Sequence, residues 1–361
     1  MFGEKTLNDK LYENAQKRLS GGAYALLFGG VGYEREISLE GALEFIKEVP
    51  DDIPLAPIYI DESGEYNLCL GLTNTGILDK KLLMPIDLVR RSAGGVILTQ
   101  KGEIPIIGAF PLLHGDFGED GIVQGHLASL GIPFIGSLTL GGAVSSDKAY
   151  SKLVAKTAGV PTLPFELISG DAEVSDAFRI ADRIGYPVFI KPCGLGSSIG
   201  AHLVKSADEL QSALSDALLY SKRLMIEPAI VDKRELECAY LSLGGENIIT
   251  PPGEAVFDSS FYDYDAKYKS SRTRVHPIAD VSRDVSARIV EYTERLARAL
   301  MVRHIARFDY FLTSDGDIYF NEVNTVPGFC KGSLYPLMLR AAGVDMKSFV
   351  RLAFSKDSLV W

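Results

Sequence analysis

Cysteine and long apolar runs are both scarce in this 361-residue sequence, and each scarcity excludes a class of protein. The four cysteines, Cys69, Cys193, Cys238 and Cys330, lie far apart, with no CxxC and no companion histidine spacing. Neither a disulfide framework nor a zinc site is expected; reduced thiols in the cytoplasm are. No apolar run approaches the ~20 residues that span a bilayer. The opening MFGEKTLNDKLYENAQKRLS also lacks the apolar stretch that directs export, so neither membrane insertion nor export is expected. Positive charge is short too: 37 Lys and Arg against 47 Asp and Glu give a formal net charge of -10. The basic side chains are scattered, which argues against nucleic acid or an anionic membrane as partner and leaves small molecules.

What is present is enough apolar residue, 47%, to bury a large core, over a length that suggests two or three domains. Residues 1–20 are polar and read as a short helix ending at Ser20-Gly21-Gly22, an appendage to the first domain. Residues 21–136 alternate strand and helix patterns, from the buried strand AYALLFGG through IPLAPIYI, IPIIGAFPLLHG and IPFIG, which predicts a parallel-sheet domain. Residues 137–237 hold the helices SSDKAYSKLVAKTAGV and ADELQSALSDALL with the strands YPVFIKP and RLMIEPAIV, a small α+β unit. Residues 238–361 carry further strands, the helix SARIVEYTERLARALM, a polar insert and most of the charged motifs.

One stretch, RFDYFLTSDGDIYFNEVN, ties structure to chemistry. Two apolar runs flank Asp315-Gly316, the dipeptide that favours a two-residue hairpin turn. In that register Ser314 faces Asp317, Asp309 falls opposite Glu322, and Arg307 opposite Asn324. Side chains so opposed have Cβ atoms ~5 Å apart, and two carboxylates there repel unless a cation lies between them. Mg²⁺ suits such a pair, since it takes one or two carboxylates and completes its shell with phosphate oxygens and water. A solvated hairpin edge without an ion is the alternative.

KPCGLGSSIG, Lys191 to Gly200, is rich in glycine and hydroxyls, yet its lysine precedes the glycines, so it is not a P-loop. Lys191 ends the strand YPVFIKP, and the loop offers backbone N–H groups and the hydroxyls of Ser197 and Ser198 as a nest for phosphate oxygens. A hairpin tip without function is the bland reading. Lys148 in SSDKAYSK and Glu227, Glu235 and Glu237 in IEPAI and RELE read either as solvated charges or, for the glutamates, as acceptors for adenosine. His114, in PLLHGDFGEDG, follows an apolar strand and precedes a turn, where a lone histidine is more often structural than catalytic.

Taken together and in this order, FGGVGYEREIS, LLHGDFGEDGIVQG, SSDKAYSK, FIKPCGLGSSIG, FYDYDAKY and RFDYFLTSDGDIYFNEVNTVPGF resemble the D-alanine–D-alanine ligase family of the ATP-grasp superfamily. The resemblance implies an ATP-grasp fold: an N-terminal parallel-sheet domain and two α+β subdomains that clamp ATP. It implies that Lys148 and Lys191 hold the α and β phosphates, with Ser198 in the loop above them, that Glu227 and Glu235 hold the adenosine, and that Lys267 holds the γ phosphate. Asp309, Glu322 and Asn324 match the ligands of two Mg²⁺ ions, with Mn²⁺ as a substitute. Glu34, Ser197 and Tyr268 match a hydrogen-bonded set over the first D-alanine, close to His114, while Arg307 and the Gly328 N–H match the groups that stabilise the oxyanion. The implied reaction is ATP-dependent formation of D-alanyl-D-alanine for peptidoglycan, in a cytoplasmic homodimer.

Related ligases of vancomycin-resistant bacteria join D-alanine to D-lactate or D-serine. Ala266-Lys267-Tyr268 resembles the dipeptide-forming enzymes, and Ser333-Leu334 matches the pair at the acceptor carboxylate, so D-alanine is expected in both subsites. A ligase using another acceptor, and a catalytically silent nucleotide-binding protein, are the alternatives. The sequence departs from the family at CKGSL, Cys330 to Leu334, where Thr-Ser-His-Ser-Leu is usual; Lys331 is expected to point to water, a contact to the incoming acceptor carboxylate being the alternative.

Overall fold

The computed structural model describes residues 7–70, 78–169, 174–256 and 274–359. Three sheets organise them. The first contains β1 (Ala23–Gly29), β2 (Leu55–Ile60), β3 (Tyr66–Cys69), β4 (Leu83–Pro85), β5 (Asp87–Arg91), β6 (Gly94–Thr99) and β7 (Gly102–Pro111). Their order is β4-β3-β2-β1-β7-β6-β5. Every residue of β1 is buried, as its unbroken apolar run requires of a strand covered on both faces. β1 runs parallel to β2 and β7, whereas the flanking strands are antiparallel, so the sheet is mixed. The departure from an all-parallel sheet arises in short connections, such as that between β5 and β6, which can close only as hairpins.

The carboxyl ends of β1 and β7 open onto one crevice, where α/β sheets place ligands. There Ser38 Oγ accepts from the Gly29 N–H at 2.9 Å and donates to Leu112 O at 2.5 Å, joining the two strand ends. Gly29 must be glycine: its φ is +92°, and a Cβ would lie 2.3 Å from Ile60 O. The N-terminal helix Leu7–Arg18 is no loose appendage. Tyr12 is buried with its hydroxyl 2.7 Å from Thr99 Oγ1, and Leu19 joins the core of this sheet.

The second sheet is antiparallel, β10-β9-β11-β8, from β8 (Glu166–Ser169), β9 (Val188–Pro192), β10 (His202–Val204) and β11 (Arg223–Pro228). The helices Val174–Ile184 and Ala207–Tyr220 cover it, contributing Ala177, Ala181, Leu210 and Leu214 to its core. Ahead of it the helix expected in SSDKAYSKLVAKTAGV runs Lys148–Thr157 and starts at Asp147, whose side chain accepts from the Tyr150 N–H at 2.9 Å and caps it; a separate short helix, Thr139–Ser146, precedes it.

The third sheet runs β15-β14-β12-β16-β17, with β13 paired to β12, from β12 (Lys233–Leu243), β13 (Glu246–Ile249), β14 (Gly253–Val256), β15 (Arg274–His276), β16 (His304–Thr313) and β17 (Ile318–Asn324). The helix Arg283–Ala299 packs Ile289 and Leu296 against one side of it. A core of Phe45, Phe110, Phe329, Phe349 and Phe354 joins this unit to the first sheet, with ring centroids 5.3 to 6.4 Å apart among the contacting pairs. These apolar contacts fix the crevice of the first sheet against the strand ends of the third.

Candidate active site

A cleft of about 300 Å³ lies between the second and third sheets, lined by β9, the glycine loop, β11, β12, β14, β16 and β17. The β16–β17 hairpin supplies its floor. Asp309 pairs with Glu322 and Arg307 with Asn324, the alignment expected from sequence, but by another route. The turn has three residues, not two: Leu312 pairs with Ile318, the Thr313 N–H donates to Asp317 O at 3.0 Å, and Gly316 sits at φ +86°. That turn alone would set Asn321 opposite Asp309. A bulge at Asn321 inserts one residue and restores the pairing, so Asn321 and Glu322 both face the cleft.

Charges fill this floor in alternating sign. Arg307 donates through Nε and Nη2 to the two oxygens of Asp309, each at 2.7 Å, and its Nε lies 3.1 Å from Glu237 Oε2. Asn324 Nδ2 donates to Asp309 Oδ2 at 3.1 Å. Lys148, at the start of its helix, places Nζ 3.0 Å from Glu322 Oε2 and 2.6 Å from Leu195 O in the glycine loop. Burial pulls its ammonium down in pKa, but Glu322 and then Glu34 outweigh this, so the net shift is upward.

Lys191, at the end of β9, sits 2.5 Å from Glu227 Oε1 and donates to Asn321 Oδ1 at 3.3 Å. The other Glu227 oxygen is held by Lys152. Burial alone would raise Glu227, yet Lys152 and Lys191 together hold it down at about 2. Both oxygens of a residue expected at the adenosine are therefore engaged by lysines. Glu235 lines the cleft beside Lys233, whose Nζ is 2.9 Å from its Oε1 and 4.5 Å from the Phe311 ring centroid.

The glycine loop bends over this floor through Ser197 and Ser198, at φ 52° and 59°, left-handed conformations that non-glycine residues adopt at a cost and that cluster at ligand clamps. The Ser197 hydroxyl donates to Glu34, which reaches it from the first unit. A Cβ on Gly196 would meet both Glu34 oxygens at 3.0 Å, and one on Gly115 would meet Oε2 at 2.5 Å, so glycine lets the backbone close around this carboxylate. Nearby, Glu119 accepts from the Gly115 and Val326 N–H groups, each at 3.1 Å, and burial, then the Glu34 charge, pushes it up to about 8. His114 is buried with Nε2 lacking a hydrogen-bond partner among the described residues, and burial, then Arg307, lowers it to about 4.

Beyond β17, a Cβ on Gly328 would lie 3.2 Å from Ser333 Oγ, and Ser333 precedes the helix Leu334–Ala341. Leu334 is 5% exposed, in the core cluster with Phe329 and Tyr335, and Lys331 is exposed to water. Cys330 Sγ donates to Ile37 O at 3.4 Å. Lys267 and Tyr268 lie outside the described residues. Sequence reasoning overlooked Lys152, Asn321, Glu119 and Lys233. Lys152 alone left a signal, its i+4 spacing from Lys148 on one helix face.

Residues 23–137 match the family described as D-ala D-ala ligase N-terminus, and residues 154–353 the D-ala D-ala ligase C-terminus. A D-alanine–D-alanine ligase of Deinococcus radiodurans is 38% identical over 333 residues, covering 90% of this chain and 95% of its own. One from Lactococcus lactis subsp. cremoris is 35% identical over 329 residues, covering 90% and 93%. Among solved structures, the D-alanine–D-alanine ligase of Coxiella burnetii superposes with a TM-score of 0.80 at 27% identity, covering 92% of this chain and 93% of that one. A D-Ala:D-Ser ligase of Enterococcus faecalis gives 0.80 at 31%, covering 92% and 98%. With two facing sheets around a lysine- and carboxylate-lined cleft, in the ATP-grasp arrangement, and with both family regions matched in order, the chain belongs to the D-alanine–D-alanine ligase family.

Proposed function

We propose that this protein joins two D-alanines at the expense of ATP, forming the D-alanyl-D-alanine used for peptidoglycan. The observation that carries the reading is the convergence of Lys148, Lys191, Arg307, Asp309 and Glu322 on one cleft, beside the crevice that holds Glu34 and His114. Lys148, Lys191 and the hydroxyls of Ser197 and Ser198 would hold the triphosphate and Glu235 the adenosine, all five lining the one cleft.

Asp309, Glu322 and Asn324 bring two carboxylates and an amide to one sheet face, a hard-oxygen set that fits Mg²⁺ bound jointly with phosphate. Among the described residues no three His, Cys, Asp or Glu side chains gather as a metal-ligand cluster. Bound there, two Mg²⁺ ions neutralise charge on the transferred phosphoryl group.

In the first step a carboxylate oxygen of one D-alanine attacks the γ phosphorus, the bond to the bridging oxygen of ADP breaks, and D-alanyl phosphate forms. In the second, the amine of the other D-alanine attacks the acyl carbon, loses a proton, and phosphate leaves. Glu34, fixed by Ser197, holds the ammonium of the first D-alanine with His114 beside it. Arg307 and the Gly328 N–H stabilise the tetrahedral oxyanion, the kind of preorganised electrostatics that dominates such catalysis. Ser333 and Leu334 meet the acceptor. D-alanine as acceptor is supported by the relatives of Deinococcus radiodurans and Lactococcus lactis, both named D-alanine–D-alanine ligases.

The test is isotopic. D-alanine labelled with ¹⁸O in its carboxylate is expected to deliver one ¹⁸O to each phosphate released. Phosphate without label, alongside dipeptide, would rule out the acyl phosphate route. The similarity to a D-Ala:D-Ser ligase supplies the second reading, and D-serine supplied in competition separates the two by product mass.

A further inference from the structure

Lys152 lies outside the cleft and takes no part in the chemistry above, yet it is 1% exposed and its ammonium is committed to Glu227. An ammonium so deeply buried survives only if it is paired, and here it faces a carboxylate that is itself 1% exposed. That carboxylate is bound on its other oxygen by Lys191, at 2.5 Å, and Lys191 does line the cleft. The three side chains form a row from the interior to the phosphate site: ammonium, carboxylate, ammonium.

The row has a net charge of +1, and that charge depends on Lys152. With Lys152 removed, Glu227 neutralises Lys191 and the row presents nothing to an anion. We infer that Lys152 is a positioning residue whose buried charge satisfies Glu227 and thereby frees the charge of Lys191 for the phosphates of the nucleotide. The inference rests on the nucleotide reading of the cleft. It explains why a helix surface four residues beyond Lys148 carries a second lysine turned inward, where an apolar residue would otherwise cost less.

A double-substitution cycle read by calorimetric binding of MgADP tests this, using wild type, K152M, E227Q and K152M/E227Q. Loss of one unit charge from a partly desolvated phosphate site weakens K152M by about tenfold, with the effect reduced by salt. In the E227Q background the buried ammonium of Lys152 has lost its carboxylate and gives up its proton, so Lys152 carries no charge for K152M to remove and affinity is expected to change by less than about twofold. Any contact that Glu227 itself makes with the nucleotide cancels in that comparison. An equal loss from K152M in both backgrounds would mean that Lys152 acts by its own charge or by packing and not through Glu227, and would overturn the inference. If K152M proves insoluble, E227Q against K152M/E227Q still decides, because the double variant buries no unpaired charge; a tenfold difference there contradicts the inference. Wild-type protein that fails to bind MgADP would remove the nucleotide reading itself, and this inference with it.

Discussion

Arg307 holds both carboxylate oxygens of Asp309, two residues along the same strand, at 2.7 Å each. The pair sets a cation and a carboxylate side by side on the floor of the cleft, where an oxyanion and a metal would each need one of them. Replacing Arg307 with methionine is expected to lower kcat by roughly 10²- to 10³-fold, the usual cost of removing one preorganised oxyanion donor. KM for ATP should move far less. Steady-state phosphate release at saturating D-alanine measures both.

Asp309 and Glu322 face each other across the hairpin, with Asn324 beside Asp309. If they hold the metal, D309N raises the Mg²⁺ concentration for half-maximal rate at least about tenfold. An unchanged Mg²⁺ requirement with normal folding would assign the metal elsewhere.

Asn321 reaches the cleft only because of the bulge in β17, and its Oδ1 accepts from Lys191 at 3.3 Å. N321A removes one long hydrogen bond to a charged group, so KM for ATP should rise about two- to fivefold with little change in thermal stability. A change in Tm of many degrees would mean that Asn321 secures the bulge itself.

His114 and His304 are both lowered to about 4, chiefly by burial, and His304 Nδ1 accepts from the Gly136 N–H at 2.9 Å. Each is neutral in the fold, whereas in the unfolded chain it takes up a proton below its ordinary value of about 6.5. Their contribution to stability is therefore fully present above pH 6.5 and is lost as pH falls from there toward 4. Thermal unfolding at pH 7, 6 and 5 should show this decline. H304N, which keeps an acceptor for Gly136, should make it shallower.

Much of this site was legible because its parts are local. Lys191 ends a short apolar strand, Glu34 follows a buried strand and a glycine turn, and Asp309 and Glu322 belong to one hairpin. The mixed first sheet was not legible, since an antiparallel wing and a parallel strand share the same apolar pattern. The hairpin is more instructive. Its pairing came out as expected only because a three-residue turn and a bulge offset each other, and neither is encoded by a single residue type: Asp315-Gly316 fits both turns, and Asn321 differs little from an ordinary strand residue. Lys152 was hidden for another reason. Its partner Glu227 is 75 residues away, and nothing in either neighbourhood states that the two meet.

The most direct measurement is phosphate release from Mg-ATP with D-alanine as the sole amino acid, then with D-serine or D-lactate in competition, and products identified by mass. The account predicts release that depends on D-alanine, with one D-alanyl-D-alanine formed per phosphate and that dipeptide as the main product in competition. Release without dipeptide, or none from protein that binds ATP, would contradict it.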